Sequence, residues 1–296
     1  MAVGAQSLIA PRMPRVHTRE HDPRLHGVSA TFVSSLGLWA VAFAAYSWLG
    51  VRIVTGEHLV IFDATARLAH AFFAFYDAPP KLAAIGFVWP PVSSLVFLPL
   101  AAIRPLASSL LALPLTTAAF AAGLIVVMNR TLALLKLPWL WRYALLGAFA
   151  LNPMIVFYAT NGMSEVVYLF FLMAGVHLLL RWYLSRDTHF LVLASVPFTL
   201  AVLTRYEVLG FVVVAALTVG IVMRGRGIST AKRESALLGF LVPMVYGFGL
   251  WVFFNWLILH DPLFWLKNQA PGAGGQQAGQ MVVHQVAGLG LPTILQ

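Results

Sequence analysis

Residues 236–259 read ALLGFLVPMVYGFGLWVFFNWLIL, a run without a single charged side chain. A helix of this length can cross the hydrocarbon core of a bilayer, which takes about 20 apolar residues. The whole chain has the same character, with 60% hydrophobic and 10% charged residues and a mean hydropathy of +0.84. We therefore expect an all-α polytopic membrane protein, and a soluble domain is excluded.

Further apolar runs extend from this one toward the N-terminus, and together they predict about seven transmembrane helices. The predicted spans lie near 29–51, 106–128, 143–160, 165–182, 189–204, 208–223 and 236–259. With the N-terminus inside, 13 of the 19 lysines and arginines fall on the inner side and 6 on the outer side. This asymmetry predicts a cytoplasmic N-terminus. We also expect the protein to lie in the plasma (inner) membrane.

The spans divide the chain into three parts: a basic cytoplasmic tail at 1–28, a transmembrane domain at 29–260 with its first outer loop at 52–105, and a segment at 261–296. We expect that last segment to be an outer loop with the start of a further helix. The net charge of +9 is scattered between apolar runs, so no nucleic-acid partner is expected. The chain has no cysteine, which excludes disulfides and thiolate chemistry.

The first outer loop does not have the pattern of a span. Asp63, Arg67 and His70 recur at helical spacing and share one face with aromatic residues around them, which predicts a helix lying along the membrane interface. The prolines that follow predict turns. The apolar run at 92–103 is too short to cross unaided, so we expect a second interfacial or half-inserted helix there.

The predicted topology places charged groups from four separated segments on the outer side. They are Asp63 in the first loop, Glu165 in the next turn, Arg205 and Glu207 in the third, and His260 and Asp261 after the last span. Such groups could deprotonate a hydroxyl, hold a divalent cation or bind a phosphate. Each also has a purely structural interpretation: an i, i+4 ion pair, a helix-dipole partner, a solvated loop charge or a turn cap.

These stretches resemble the outer segments of the C-type (GT-C) membrane glycosyltransferases. The resemblance covers about 30–270 and is carried by FDATARLAHAFFAFYDAPPKLAAIGFVWPP, NPMIVFYATNGMSEVVYLFFLMAGVHLLLRW, LAVLTRYEVLG and NWLILHDPLFWLKNQ. Similar families include the protein O-mannosyltransferases, the aminoarabinose transferases and the mycobacterial arabinofuranosyltransferases. The resemblance implies transfer of a sugar, with inversion, from a polyprenyl-phosphate donor to a hydroxyl of a glycan, lipid or protein acceptor.

The resemblance also implies roles for individual residues. Asp63 would be the general base, and Glu165 would be the second acid, orienting the acceptor or a metal ion. Arg205, with Lys81 or Arg67, would neutralise the leaving phosphate, and Glu207, His260 and Asp261 complete the expected substrate-binding set. The metal ligands are not assigned, although a divalent cation, Mg or Mn, is an open expectation. Ala64 stands where the family often has a second acid, which weighs against a metal ion in that loop.

Two rival functions stay open at this point. A transporter or flippase would use the outer carboxylates as ion or substrate ligands, and it predicts polar residues through the span interiors. A non-catalytic scaffold subunit with the same fold would be consistent with a chain that ends at Gln296, since the relatives continue through further spans. A truncated product, one subunit of a split enzyme and a fragment all fit that end.

Overall fold

The computed structural model describes residues 23–267, in which every regular element is a helix. The longer helices are α1 Pro23–Gly56, α2 Phe62–Tyr76, α6 Ala112–Leu134, α7 Trp139–Ala150, α8 Pro153–Thr160, α9 Ser164–Ser185, α10 Thr188–Val202, α11 Val208–Gly225 and α12 Thr230–Leu259. The short ones are α3 Val92–Leu95, α4 Leu98–Ala101, α5 Arg104–Ser108 and α13 Phe264–Lys267, with a 3-10 turn at Leu82–Ile85. The parts of the predicted 1–28 tail and 261–296 segment beyond these residues lie outside the description.

The contacts within the chain divide it into two units, with the boundary after Gly37 in the sequence. In the described residues the first unit consists of the beginning of α1. The second unit begins at Leu38 and contains the candidate functional site.

Five helices of the described chain are long and apolar enough to cross a membrane: Phe32–Gly56 within α1, and α6, α9, α11 and α12. The pair α7 and α8, bent by 59°, would make a sixth. Helix α10 has 15 residues and rises about 22 Å, short of the roughly 30 Å core of a bilayer. The expectation of a helical membrane protein is therefore confirmed, whereas the count of seven spans and the GT-C fold stay predictions.

The predicted span at 143–160 is two helices rather than one. Pro153 has no amide hydrogen to continue the ladder of α7, and the Asn152 side chain caps α8 by accepting a hydrogen bond from the Met154 amide at 2.9 Å. The dipeptide Asn-Pro is a turn signal that the apolar composition of the segment conceals.

The first loop contains the predicted helix, α2, but differs after it. The region expected to form one interfacial or half-inserted helix at 92–103 is broken into α3 and α4, and α5 follows. Pro99 and Pro105 each lie in the first turn of one of these short helices, because a residue without an amide hydrogen is tolerated there and not in a helix interior. The position of α2 relative to a membrane stays a prediction.

Helix α2 is held by an apolar cluster under its buried face. Ala64, Leu68 and Ala71 follow one another at helical spacing and are at most 2% exposed. They pack in one cluster with Phe97 from the short-helix region and Leu113 at the start of α6. This packing fixes the rotation of α2, so the residues beside this face are directed into the protein.

Candidate functional site

The rotation of α2 buries a guanidinium. Arg67 lies beside Leu68 and its side chain is 6% exposed, whereas Asp63, one turn earlier, is 46% exposed. The Arg67 Nη2 and Asp63 Oδ2 atoms are 4.0 Å apart, which is an ion pair without a hydrogen bond. The i, i+4 pair expected from the sequence is therefore present, with the cation inside and the carboxylate at the surface.

Arg67 has few hydrogen-bond partners for a buried cation. Its Nη1 donates to the Met163 sulfur at 3.6 Å, a weak acceptor, and its guanidinium lies 5.2 Å from the centre of the Trp89 ring. Its Nε is buried and has no partner in residues 23–267. A buried charge that lacks strong hydrogen bonds is costly, and a bound anion would supply the missing acceptors.

A second guanidinium joins two carboxylates at the turn before α11. Arg205 Nη1 donates to Glu165 Oε1 at 2.6 Å, and Arg205 Nη2 donates to Glu207 Oε1 at 2.8 Å. Glu165 lies in the first turn of α9, where a carboxylate also complements the helix dipole. Its other oxygen, Oε2, is buried and accepts no hydrogen bond within the described chain.

Backbone contacts bring these two guanidiniums into one region. The Val92 amide, at the start of α3 in the first loop, donates to the Leu203 carbonyl at 2.9 Å, two residues before Arg205. Gly162, with φ +79°, lies so close to α2 that a Cβ there would be 3.1 Å from the Cβ of Ala64. The turn that carries Glu165 and the turn that carries Arg205 are thus both in contact with the loop that carries Asp63.

The charged groups of this region change one another's pKa values. Burial lowers the pKa of Arg67, while the charges of Asp63 and Glu165 act to raise it and that of Arg205 lowers it further. Burial also acts to lower the pKa of Arg205, but hydrogen bonds and charges from Glu207 and Glu165 outweigh this effect and raise it. We call Asp63, Arg67, Glu165, Arg205 and Glu207 the charge cluster.

Aromatic side chains from the last helices close one side of this region. Trp251 Nε1 donates to the Tyr206 hydroxyl at 2.8 Å, and the Trp265 ring centre lies 4.5 Å from that of Tyr206. Phe87, in the first loop, stacks on Trp251 with ring centres 5.3 Å apart. The fourth predicted segment therefore reaches the same turn through its aromatic residues rather than through its charges.

Three predicted site residues have partners within their own segments instead. Lys81 Nζ pairs with Asp77 Oδ2 at 3.6 Å, and Lys267 Nζ pairs with Asp261 Oδ2 at 2.6 Å. The hydrogen bond from Lys267 lowers the pKa of Asp261. His260 ends α12 in the left-handed conformation, with φ 58°. Asp261 and His260 thus behave as turn and cap residues, one of the structural interpretations given above.

Sequence reasoning missed Met163, Tyr206 and Trp251, which contact members of the charge cluster or their neighbours. Tyr206 could have been identified from the sequence, since it lies between two charged residues, Arg205 and Glu207. Met163 and Trp251 carry none, because an apolar residue in an apolar chain is not distinguished by its type.

No group of three or more metal-ligating side chains is found in the part of the chain that the structure describes. The carboxylates of Glu165 and Glu207 are engaged with Arg205, so the donor set of the charge cluster fits an anion or a hydroxyl better than a divalent cation. The open expectation of Mg or Mn is not tested by this arrangement, and no step below depends on a metal ion.

Comparison of the chain with protein-family models, with curated proteins and with solved structures finds no match in any of the three. The resemblance to the GT-C glycosyltransferases therefore depends on the quoted motifs alone.

Proposed function

We propose that this chain is a membrane glycosyltransferase that moves a sugar from a polyprenyl-phosphate donor to an acceptor hydroxyl. The observation that carries the proposal is the charge cluster: carboxylates and guanidiniums from three separated segments meet at one end of a helix bundle. A base, a hydrogen-bond acceptor for a hydroxyl and a cation for phosphate are the groups that this reaction requires.

The proposed step is a single displacement at the anomeric carbon. The acceptor oxygen attacks C1 of the sugar, the bond between C1 and the phosphate oxygen breaks, and the electron pair leaves with the lipid phosphate. The hydroxyl proton goes to the carboxylate of Asp63. Asp63 suits this role because it is half-exposed and not hydrogen-bonded to Arg67, so its oxygens can reach an incoming hydroxyl.

The two guanidiniums have different roles in this proposal. Arg67 retains one unpartnered donor inside the protein, Nε, and we assign Arg67 to the leaving phosphate, whose negative charge grows in the transition state. Arg205 is shared between Glu165 and Glu207 and has fewer donors to offer, so it chiefly positions Glu165. The free Oε2 of Glu165 is then available to accept a hydrogen bond from the acceptor substrate.

An apolar groove among α1, α6 and the short-helix region is in keeping with a donor that is carried by a lipid. The groove has a volume of about 290 Å³ and is lined by side chains of α1, α6 and the short-helix region, among them Trp39, Phe43 and Phe120. Val96 and Leu100 line it as well, and both also pack against the cluster that holds α2. A hydrocarbon chain in this groove would contact residues that pack against the apolar cluster under α2.

The charge distribution supports the orientation that the sequence predicts. Because successive helices alternate in direction, the ends of the bundle can be assigned from chain order. In residues 38–267 the end with the charge cluster holds six cations and six carboxylates, and the opposite end holds nine cations and two carboxylates. By the positive-inside rule, this difference supports a charge cluster on the non-cytoplasmic face of the membrane.

A transfer assay with a matched pair of variants tests the function. Asp63 and Asp77 lie at opposite ends of α2, and each has a cation four residues later. In liposomes with a radiolabelled polyprenyl-phosphate sugar and an acceptor extract, we expect Asp63→Asn to lower transfer at least 100-fold, since general-base catalysis contributes about 10²–10⁴-fold. Asp77→Asn should retain the wild-type rate.

Unchanged transfer by a folded Asp63→Asn variant would overturn the assignment of the base. Absence of transfer by the wild-type chain, together with uptake of the labelled lipid across the bilayer, would favour the transporter alternative. Absence of both activities would favour the scaffold alternative.

A further inference from the structure

Trp89, in the first loop, contacts two side chains of α2. The Arg67 guanidinium carbon lies 5.2 Å from the centre of its ring. The centre of the His70 ring lies 5.8 Å from the same ring, at a tilt of 46°. Because Arg67 and His70 are three residues apart, they are neighbours on the surface of one helix. The indole of Trp89 therefore covers the turn of α2 that follows Asp63.

The chain on either side of Trp89 is tied to distant segments. Two residues earlier, the Phe87 ring stacks on that of Trp251 in α12, with ring centres 5.3 Å apart. Three residues later, the Val92 amide donates to the Leu203 carbonyl at 2.9 Å. Since both contacts are made to segments other than α2, the indole is held in place independently of the helix that it covers.

The polar contacts of Arg67 do not fix its guanidinium. Its hydrogen bond to the Met163 sulfur is 3.6 Å long and involves a weak acceptor. Its Nη2 atom lies 4.0 Å from Asp63 Oδ2, which is beyond hydrogen-bond distance. A cation over a tryptophan face is attracted by the ring, and more strongly where water is excluded, as it is around the 6% exposed Arg67 side chain. The face of Trp89 is therefore the contact that restricts the guanidinium.

The contact with Trp89 also accounts for the gap between Arg67 and Asp63. Groups of opposite charge four residues apart on a helix pair readily, and a direct charge-assisted hydrogen bond is about 2.7–2.9 Å long. Here the two atoms stay 4.0 Å apart. In the proposed reaction the carboxylate accepts a proton and the guanidinium binds a phosphate, so a direct bond between them would occupy both groups.

We propose that Trp89 is a positioning residue, which fixes the Arg67 guanidinium and keeps it from closing onto the Asp63 carboxylate. The proposal rests on the proposed function for the role of the phosphate, whereas the restraint on Arg67 is a property of the protein without substrate. Removal of the indole releases the guanidinium to pair with Asp63. The leaving phosphate then has to compete with that carboxylate for the same donors.

The restraint is tested without substrate by nuclear magnetic resonance of the full chain in detergent micelles, with isotope-labelled arginine. The Arg67 Nε–H resonance, identified by its loss in Arg67→Lys, should be shifted by the ring current of Trp89 and should move in Trp89→Leu. The matched control is Trp48→Leu, because Arg52 lies over the Trp48 ring at the same distance, 5.2 Å, and both are exposed on α1. This control should move the Arg52 resonance and leave that of Arg67 unchanged.

Donor kinetics in the transfer assay test the consequence for the reaction. Trp89→Leu should raise the KM for the lipid-phosphate donor about tenfold, the factor expected for a cation–π contact shielded from water. Trp89→Phe keeps an aromatic face and should stay within about threefold of the wild type. A loss of folded protein lowers kcat without changing KM, so the KM separates positioning from a purely structural role. Trp48→Leu should have the wild-type KM.

A double variant shows whether Trp89 acts through Arg67. The KM of Arg67→Gln/Trp89→Leu should equal that of Arg67→Gln alone, and a further increase of about tenfold would overturn the proposal. An Arg67 resonance that does not move in Trp89→Leu would overturn it as well, as would a wild-type KM in that variant. A wild-type chain without transfer, whose Arg67 resonance still depends on Trp89, would refute the transferase function and not the restraint on Arg67.

Discussion

The ion pair between Glu165 and Arg205 gives the sharpest test of the packing around the charge cluster. These residues are 40 positions apart, yet their side chains meet at 2.6 Å and are only 20% and 30% exposed. Glu207 bonds the same guanidinium at 2.8 Å but is 67% exposed. The two carboxylates thus differ mainly in their access to water, and this difference predicts different contributions to stability.

The coupling free energy expected for each ion pair follows from this difference in exposure to water. Unit charges about 4 Å apart attract by about 4 kcal/mol at an effective dielectric constant of 20, and desolvation of both groups offsets part of this. A hydrogen bond to a charged group contributes a net 1.5–3 kcal/mol or so. We therefore expect a coupling free energy of about 2 kcal/mol between Glu165 and Arg205. For the exposed partner Glu207 we expect about 0.5 kcal/mol or less.

The assay is a pair of double-mutant cycles on the free energy of unfolding, measured by denaturant titration in mixed micelles and followed by tryptophan fluorescence. One cycle combines Glu165→Gln with Arg205→Gln, and the other combines Glu207→Gln with Arg205→Gln. Arg205→Gln should be the most destabilising single change, because it leaves two carboxylates without their cation. The reasoning would be refuted by a coupling free energy between Glu165 and Arg205 below about 0.5 kcal/mol, or by equal coupling free energies in the two cycles, because either result would mean that the contact between these turns is as open to water as a surface ion pair.

Three further outcomes are expected. Gly162→Ala should destabilise the fold by about 2 kcal/mol in the same unfolding assay, because φ is +79° and a Cβ would lie 2.8 Å from a neighbouring side chain. At Gly210 a Cβ would meet open space, so the control Gly210→Ala should be neutral or stabilising. The hydrogen bond from Arg205 lowers the pKa of Glu207 from its usual 4.5. The ionised Glu207 therefore contributes its full stabilisation above pH 4.5, and this contribution is lost as the pH falls through the lowered pKa. Glu207→Gln should remove this part of the acid sensitivity of unfolding, and a variant with the wild-type pH profile would contradict the prediction. Arg67→Lys should raise the KM for the lipid-phosphate donor at least tenfold in the transfer assay, because an ammonium group cannot replace the planar fork of guanidinium donors. A wild-type KM in this variant would contradict the assignment of Arg67 to the phosphate.

Local patterns in the sequence predicted some helices, such as α2, but missed the breaks at 143–160 and 92–103 and did not predict the contacts between elements. The spacing of Asp63, Arg67 and His70 predicts α2 because residues on one face of a helix recur at a fixed interval. The same spacing predicts the Asp63 and Arg67 pair, since it is internal to the helix. It does not show which of the two is buried, because that depends on the apolar residues of α2 that pack against Phe97 and Leu113.

The contact of Arg205 with Glu165 is a different kind of feature. It joins two turns across an intervening helical hairpin, and no periodicity in either segment encodes it. The predicted topology puts both turns at the same end of the bundle. It therefore limits the possible partners of Arg205 to the carboxylates at that end, but it does not identify Glu165 among them. Asp261 was a candidate on the same topological ground and Lys81 through the family resemblance, and each is paired locally instead.

The central claim is that the charge cluster surrounds the head of a lipid-phosphate sugar donor. A cryo-electron microscopy structure of the full chain in a nanodisc with a non-hydrolysable polyprenyl-phosphonate sugar tests it most directly. We predict phosphonate density within hydrogen-bonding distance of the Arg67 guanidinium, with C1 of the sugar facing Asp63 and the lipid chain in the groove beside Trp39. Density for the donor at another part of the bundle, with Arg67 still buried against Trp89 and Met163 alone, would contradict the account.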